Sequence, residues 1–192
     1  MKTLVTGHAG YVGGELAAQL SEAGHDVVGF DRREDPEDDV RDAERVRSLF
    51  ETHEFDVVYN LAADADVWAD EWRYLVENNV MGTVNVVETA REAGVPVVHA
   101  SSVAASGEFN PYGRSKRLAE AAVDPYDGVT TVRFPNVIGG DPPRGQADAM
   151  VQQGLDGEIE AWENGAIRRS YVDVADLGVF LRELGTGSFD VE

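Results

Sequence analysis

The stretch Leu4–Leu20 reads "LVTGHAGYVGGELAAQL". An apolar run ends in Gly7, Gly10 and Gly13, and an amphipathic segment follows at once. A strand that turns on glycines into a helix brings the chain to a helix N-terminus, where free amides and the positive dipole end can hold a pyrophosphate. Glycine there serves one of two needs: close approach of a ligand to the backbone, or a tight turn with close helix packing. The spacing alone leaves both open.

Context favours the first. Working outward, "KTLVTG", "DVVGFD", "FDVVYNLAA", "VPVVHASS" and "VTTVRFPNVIG" read as strands. Helices are predicted over Tyr11–Ala23, Asp42–Thr52, Trp72–Ala93 and Tyr112–Val123. Short β-branched runs alternating with amphipathic helices predict an α/β fold, a Rossmann-type doubly wound parallel sheet. After Gly139 the pattern weakens. "GGDPPRGQADAM" is turn-rich, "EIEAW", "IRRSYV" and "SFDV" are candidate short strands, and Asp173–Leu184 reads as a helix. We therefore expect a dinucleotide-binding core over 1–138. A reduced C-terminal substrate-binding portion over 139–192 would be interleaved with it in one compact domain.

Composition narrows the function. Hydrophobic residues make up 43% of 192 residues, a globular proportion. No apolar run approaches the roughly 18 to 20 residues of a membrane span, and the N-terminus does not resemble a signal peptide, so a cytoplasmic protein without a membrane partner is expected. There is no cysteine, which excludes disulfides, thiolate metal sites and a Cys nucleophile, and His8, His25, His53 and His99 show no metal-ligand spacing. The net charge is −20, and 14 of the 16 basic residues are arginine. Self-repulsion on that scale is relieved by screening, which suggests adaptation to high salt, although an ordinary acidic protein has the same composition. An acidic surface argues against a nucleic-acid partner.

Two further features carry chemistry. Asp31 ends the second predicted strand, 18 positions after Gly13, where a carboxylate accepts hydrogen bonds from an adenosine ribose. Such an acid repels a 2′-phosphate and favours NAD over NADP, while Arg32 and Arg33 beside it could accept that phosphate. In "HASSVAASGEFNPYGRSKRLAE", Ser101 and Ser102 end a strand, and Tyr112 and Lys116 stand four apart at a helix start. Residues at i and i+4 share one helical face, so the ammonium is expected to lower the phenol's pKa and make Tyr112 a general acid/base. Lys116 is one of only two lysines in the chain, which points to a need for a compact ammonium there.

In order along the chain, these motifs resemble the extended short-chain dehydrogenase/reductases, specifically the NAD-dependent epimerase/dehydratase group that includes UDP-glucose 4-epimerases. "TGHAGYVGG" is similar to the T-G-x-x-G-x-x-G turn, "FDRR" to the second-strand acid, "DDVRD" to the adenine-contacting step and "YNLAA" to the third-core-strand motif. "NNVMGTVNVVETAREAGV" resembles the Asn-containing helix, "ASSVAASG" the serine strand and "PYGRSK" the Tyr-x-x-x-Lys motif. "VRFPNVIG" and "RRSYVDVADLG" resemble later landmarks. The resemblance implies that Gly7, Gly10, Tyr11 and Val12 line a pyrophosphate. It implies that Asp31 and Arg32 meet the ribose and that Asp39 and Val40 meet the adenine. Leu61, Ala62, Ala63 and Asn79 would lie along the cofactor, and Gly13, Pro135 and Val137 complete the cofactor positions. Lys116 would bond the nicotinamide ribose. Catalysis would fall to Ser102, Tyr112 and Lys116. Ser102 is preferred to Ser101 because it aligns with the family's hydroxyl. Ser102, Asn136 and Arg169 would contact substrate.

The family implies hydride abstraction from a sugar carbon by NAD while Tyr112 removes the hydroxyl proton. A nucleotide-sugar is the expected substrate, and the family also implies a homodimer through the helices around 79–93 and 112–123. An NAD(P)-dependent reductase of a keto-sugar or small carbonyl, and a non-catalytic dinucleotide sensor or scaffold, are the alternatives. Departures from the pattern matter too. Val103 and Ala104 replace the Asp-Glu pair of sugar dehydratases, so dehydration is not expected. "EFNP" is shorter than the usual substrate-facing loop, Ser106 stands where an aromatic is common, and family members continue beyond "SFDV".

Overall fold

A computed structural model describes residues 1–66, 71–107, 110–140, 146–157 and 168–187. The strands expected at "EIEAW" and "SFDV", and Glu108 and Phe109 of "EFNP", lie outside the described residues. Five strands, β1 (Lys2–Thr6), β2 (Asp26–Phe30), β3 (Val57–Asn60), β4 (Val97–Ser102) and β5 (Val129–Phe134), form one parallel sheet in the order β2-β1-β3-β4-β5. Two short strands, β6 (Asn136–Ile138) and β7 (Tyr171–Asp173), pair in parallel as a separate ribbon. The chain is a Rossmann-type α/β fold. Its strand order reverses between β1 and β3, and in open α/β sheets that switch point opens a ligand crevice at the carboxyl ends.

Both faces of the sheet are covered, which explains why its strands are apolar on both sides. Leu4, Val58 and Val97 point to one face, where they meet α2 (Ala43–Thr52), α4 (Gly82–Glu92) and α5 (Pro111–Val123) through Val46, Leu49, Val86, Val87 and Val123. Val5, Val57, Tyr59 and Val98 point to the other, against α1 (Tyr11–Glu22) and α7 (Val174–Gly185) through Leu16, Leu20, Leu177 and Leu181. Residues beyond 138 thus return to complete one face of the core. Leu16 is fully buried, so Leu16→Ala would cost about 2–5 kcal/mol.

Local chemistry starts the helices. Asp42 accepts from the amides of Glu44 and Arg45 at the head of α2, and Asp173 accepts from Ala175 at the head of α7. Asn110 accepts from Gly113 at the head of α5, with Pro111 at the first helical position.

Three elements differ from expectation. The single strand read as "VTTVRFPNVIG" breaks at Pro135, which has no N–H for a ladder bond, and its two parts join different sheets. The helix read as Trp72–Ala93 is α3 (Trp72–Leu75), a π-helical segment Val76–Met81 and then α4. The turn-rich segment after Gly139 contains a further helix, α6 (Gln146–Leu155).

Candidate active site

The glycine turn sits at the switch point. Gly7 has φ +72°, and a Cβ there would lie 2.9 Å from Ala62 Cα at the end of β3. A Cβ on Gly13 would lie 2.2 Å from the Gly7 carbonyl oxygen, so the first turn of α1 packs directly on the loop. The packing role of glycine is therefore seen directly: the turn needs glycine to close, and the loop it leaves is bare backbone. Gly10 caps α1 without any side-chain bond, and no acidic residue occupies the first turn. That leaves a helix N-terminus whose amides and dipole suit an anion. Tyr11 donates its phenol to the Gly139 carbonyl at 2.7 Å, tying the cradle to the end of β6, and Val12 packs on the α1/α7 core cluster.

Asp31 lies just past β2 and is buried. It accepts from Ala9 N at 3.1 Å and Arg33 N at 2.9 Å, which braces the glycine loop against the second strand. Arg32 turns aside to donate to the Tyr74 hydroxyl and lies 3.7 Å from Asp39. Asp39 is held by Arg41 through Nε and Nη2. That hydrogen bonding, opposed by partial burial and helped by Arg32's charge, keeps its carboxyl below the usual range. Val40 is buried in the core, and its carbonyl accepts from Asn85.

Behind the crevice runs a polar ladder that the sequence reading missed. Thr6 donates to Asn60 Oδ1 at 2.9 Å, and Asn60 Nδ2 lies 3.2 Å from His99 Nδ1. The Thr6 hydroxyl also accepts from the amides of Leu61 and Ala62, which fixes the loop after β3. Burial, with Lys116's charge adding to it, lowers His99 to about 3, so its ring is neutral. Asn79, fully buried in the π-helical segment, uses its whole amide inside the protein. Its oxygen accepts from Asp64 N and Asn78, and its nitrogen donates to Asp64 O and Ser115. Asn79 thereby anchors the segment that carries Ala63. A single extra residue in a helical turn has no propensity signature, so only the fold reveals this role.

The structure brings Ser102 and Tyr112 together and sets Lys116 on the same helix, one turn on. Ser102 ends β4, caps the short 3₁₀ turn Val103–Ser106 by accepting from Ala104 N at 3.2 Å, and lies beside the Tyr112 side chain. A Cβ on Gly113 would lie 2.4 Å from the Ala104 carbonyl, so the head of α5 rests on the turn that carries Ser102. Tyr112 departs from expectation in one respect. Burial pushes its phenol above the ordinary value, the Ser102 hydrogen bond pulls it down, and Asp64's charge pushes it up, for a net rise. The Tyr–Lys spacing predicts the reverse, but spacing does not encode burial. Lys116 is buried as well, and desolvation lowers it to about 8 against the opposing attraction of Glu120.

Of the substrate positions, Asn136 donates to Ser170 O at 3.1 Å within the β6–β7 ribbon, and Arg169 is exposed just before β7. Pro135 separates β5 from β6, and Val137 packs on the α1/α7 cluster. Among the described residues no group of acidic or histidine side chains is arranged to hold a metal, and no helix is long and apolar enough to cross a membrane.

Comparison with known proteins agrees with this fold. The model of the NAD dependent epimerase/dehydratase family matches residues 3–182. The chain is 26% identical over 239 aligned positions to a UDP-glucose 4-epimerase of Erwinia amylovora, covering 92% of this chain and 71% of that one. It is 27% identical to a 2-alkyl-3-oxoalkanoate reductase of Stenotrophomonas maltophilia, covering 94% and 64%. Other curated UDP-glucose 4-epimerases are spanned for about half their length, 54% and 48%. In fold it is similar to the crystal structure of UDP-glucose 4-epimerase with UDP-glucose from Thermotoga maritima, with TM-score 0.81, 24% identity, and coverage of 93% and 71%. From the glycine cradle, the Ser-Tyr-Lys set and this match over nearly its whole length, the chain belongs to the NAD-dependent epimerase/dehydratase family of extended short-chain dehydrogenase/reductases.

Proposed function

We propose that the protein is an NAD-dependent, nucleotide-sugar epimerase-like oxidoreductase acting at a sugar carbinol carbon, with Tyr112 as acid/base. The observation that carries this reading is the placing of Ser102 beside Tyr112, one helical turn from buried Lys116, at the carboxyl end of β4. The bare cradle of Gly7, Gly10 and Gly13 fits a dinucleotide pyrophosphate, with Tyr11 and Val12 at the helix start. A bound nicotinamide would supply the hydride acceptor and donor. Ser102 would hold the substrate oxygen, Tyr112 would exchange its proton, and Lys116 would place a positive charge beside the reacting oxygens. Asp31 supports NAD over NADP, because the Arg32 guanidinium beside it is already engaged by Tyr74 and Asp39. Met81 and Leu118 are exposed on the helical segments that the family resemblance assigns to a homodimer, which supports that assembly.

One observation favours a second reading, reduction of a keto-sugar or small carbonyl. Burial keeps Tyr112 protonated, which suits a resting site that donates a proton to a carbonyl, and a reductase is among the curated relatives. The deciding experiment is incubation in high salt with UDP-, GDP- and dTDP-sugars and small ketones, with and without NADH or NADPH. Epimerisation proceeds with no net consumption of reduced cofactor, whereas reduction consumes it one for one. No dinucleotide binding at any salt concentration refutes both.

A further inference from the structure

A second buried polar cluster lies under α5. Lys116 and Glu120 are one turn apart on its inner face, exposed by only 3% and 4%. Residues so spaced have Cβ atoms about 5–6 Å apart. Glu120 Oε1 accepts from Ser101 Oγ at 2.5 Å and Arg133 Nε at 2.8 Å, and Oε2 accepts from Arg133 Nη2 at 2.6 Å. Arg133 Nη1 then donates to Ser106 Oγ at 2.9 Å. Ser101 is the neighbour of Ser102, and Ser106 ends the 3₁₀ turn that Ser102 caps. Glu120 therefore ties the helix that bears Tyr112 and Lys116 directly to Ser101 at one end of the turn capped by Ser102, and through Arg133 to Ser106 at the other.

The charges around it are few. Lys116 and Glu120 come from α5, with Asp124 at its end acting on Arg133, which comes from β5, and His99 comes from β4 and is neutral. A buried ammonium with no carboxylate near it costs several kcal/mol. Apolar residues of similar size would hold two layers together at least as well as a buried ion pair does, so packing alone does not call for Glu120. We propose that Glu120 is a positioning residue: held by Ser101 and Arg133, its carboxylate one turn away favours the charged form of Lys116 and locks the Ser102 turn against α5. The inference rests on the reading of Ser102, Tyr112 and Lys116 as the reacting groups.

The chain's two lysines make the test direct. Protein labelled with ¹³C at lysine Cε is titrated by NMR without cofactor or substrate, and Lys2→Arg assigns the two signals. In the parent protein the Lys116 midpoint lies near 8. Glu120→Gln lowers it by about 1 pH unit or more, and Glu120→Asp, which keeps the charge, restores part of that loss. A purely structural Glu120 would leave the midpoint where it is, so an unmoved midpoint in folded Glu120→Gln overturns the proposal. If that variant does not fold, Arg133→Met is read instead. With the competing cation gone, the Lys116 midpoint rises, and no rise overturns the proposal. Failed turnover with a shifted midpoint refutes the enzymatic reading alone. Turnover with an unmoved midpoint refutes the role of Glu120 alone.

Discussion

Gly13 and Gly14 are adjacent on α1, yet they meet different surroundings, and that contrast tests the account of the glycine turn. A Cβ on Gly13 would lie 2.2 Å from Gly7 O and 2.8 Å from Gly7 C, both backbone atoms that cannot rotate away. A Cβ on Gly14 would lie 3.4 Å from His8 O, an ordinary contact. Replacing a helical glycine by alanine gains up to about 1 kcal/mol in propensity at either site. Overpacking against fixed backbone costs about 1–3 kcal/mol, and a contact this close belongs at the upper end. Gly13→Ala should thus lose about 2 kcal/mol net, and Gly14→Ala should hold or gain up to about 1 kcal/mol. For a chain of this length, about 2 kcal/mol lowers Tm by about 4–8 °C. Because the displaced atoms belong to the cradle, Gly13→Ala should also weaken NAD binding, while Gly14→Ala should not. Differential scanning calorimetry and titration of NAD fluorescence quenching, both in high salt, read the two effects. Equal melting temperatures and equal affinities for the two variants would show that the Gly7 carbonyl does not exclude a side chain at Gly13.

Other outcomes follow from the same geometry. Tyr112→Phe should abolish turnover while NAD affinity stays within about twofold, since the hydroxyl serves proton transfer and not cofactor binding. Gly113→Ala should drive the head of α5 off the Ala104 carbonyl and reduce turnover more than Tm, as read by paired kinetics and melts. His99 has a depressed pKa in the folded protein, about 3 against about 6.5 unfolded, so its contribution is present above 6.5 and is lost as pH falls. Denaturant melts of His99→Gln should lose about 2 kcal/mol less between pH 7 and pH 5 than the parent does. With net charge −20, Tm should climb as KCl rises from about 0.1 M to about 2 M, and a flat response would remove the inference of salt adaptation.

Most of the fold was legible because its signals are local. The runs that became β1 to β5 are apolar and β-branched, the helix faces repeat with their own period, and Asp42, Asn110 and Asp173 announce helix starts within four residues. α6 was missed because "GGDPPRG" dominates the reading of its neighbourhood, although "QADAMVQQGL" is a fair helix former. The split of β5 from β6 had a signal in Pro135. The glycine turn and the nearness of Ser102 to the head of α5 were readable too, because short spacings on a strand–turn–helix path bring these residues together whatever surrounds them. Glu120 also had a readable sign, its i+4 spacing from Lys116, but Ser101 and Arg133, which hold it, come from other strands.

The parallel α/β sheet, the glycine turn at its switch point and the family are all written in the amino-acid order, since each depends on periodicity and short-range geometry. What each polar group experiences emerges only when the chain is folded. Folding committed Asn79 to the loop at Asp64, neutralised His99, raised Tyr112 and lowered Lys116, and set one carboxylate between Ser101 and Arg133. The physical reason is that hydrogen-bond partners and desolvation come from segments far apart in the chain, and no local pattern records which of them will meet.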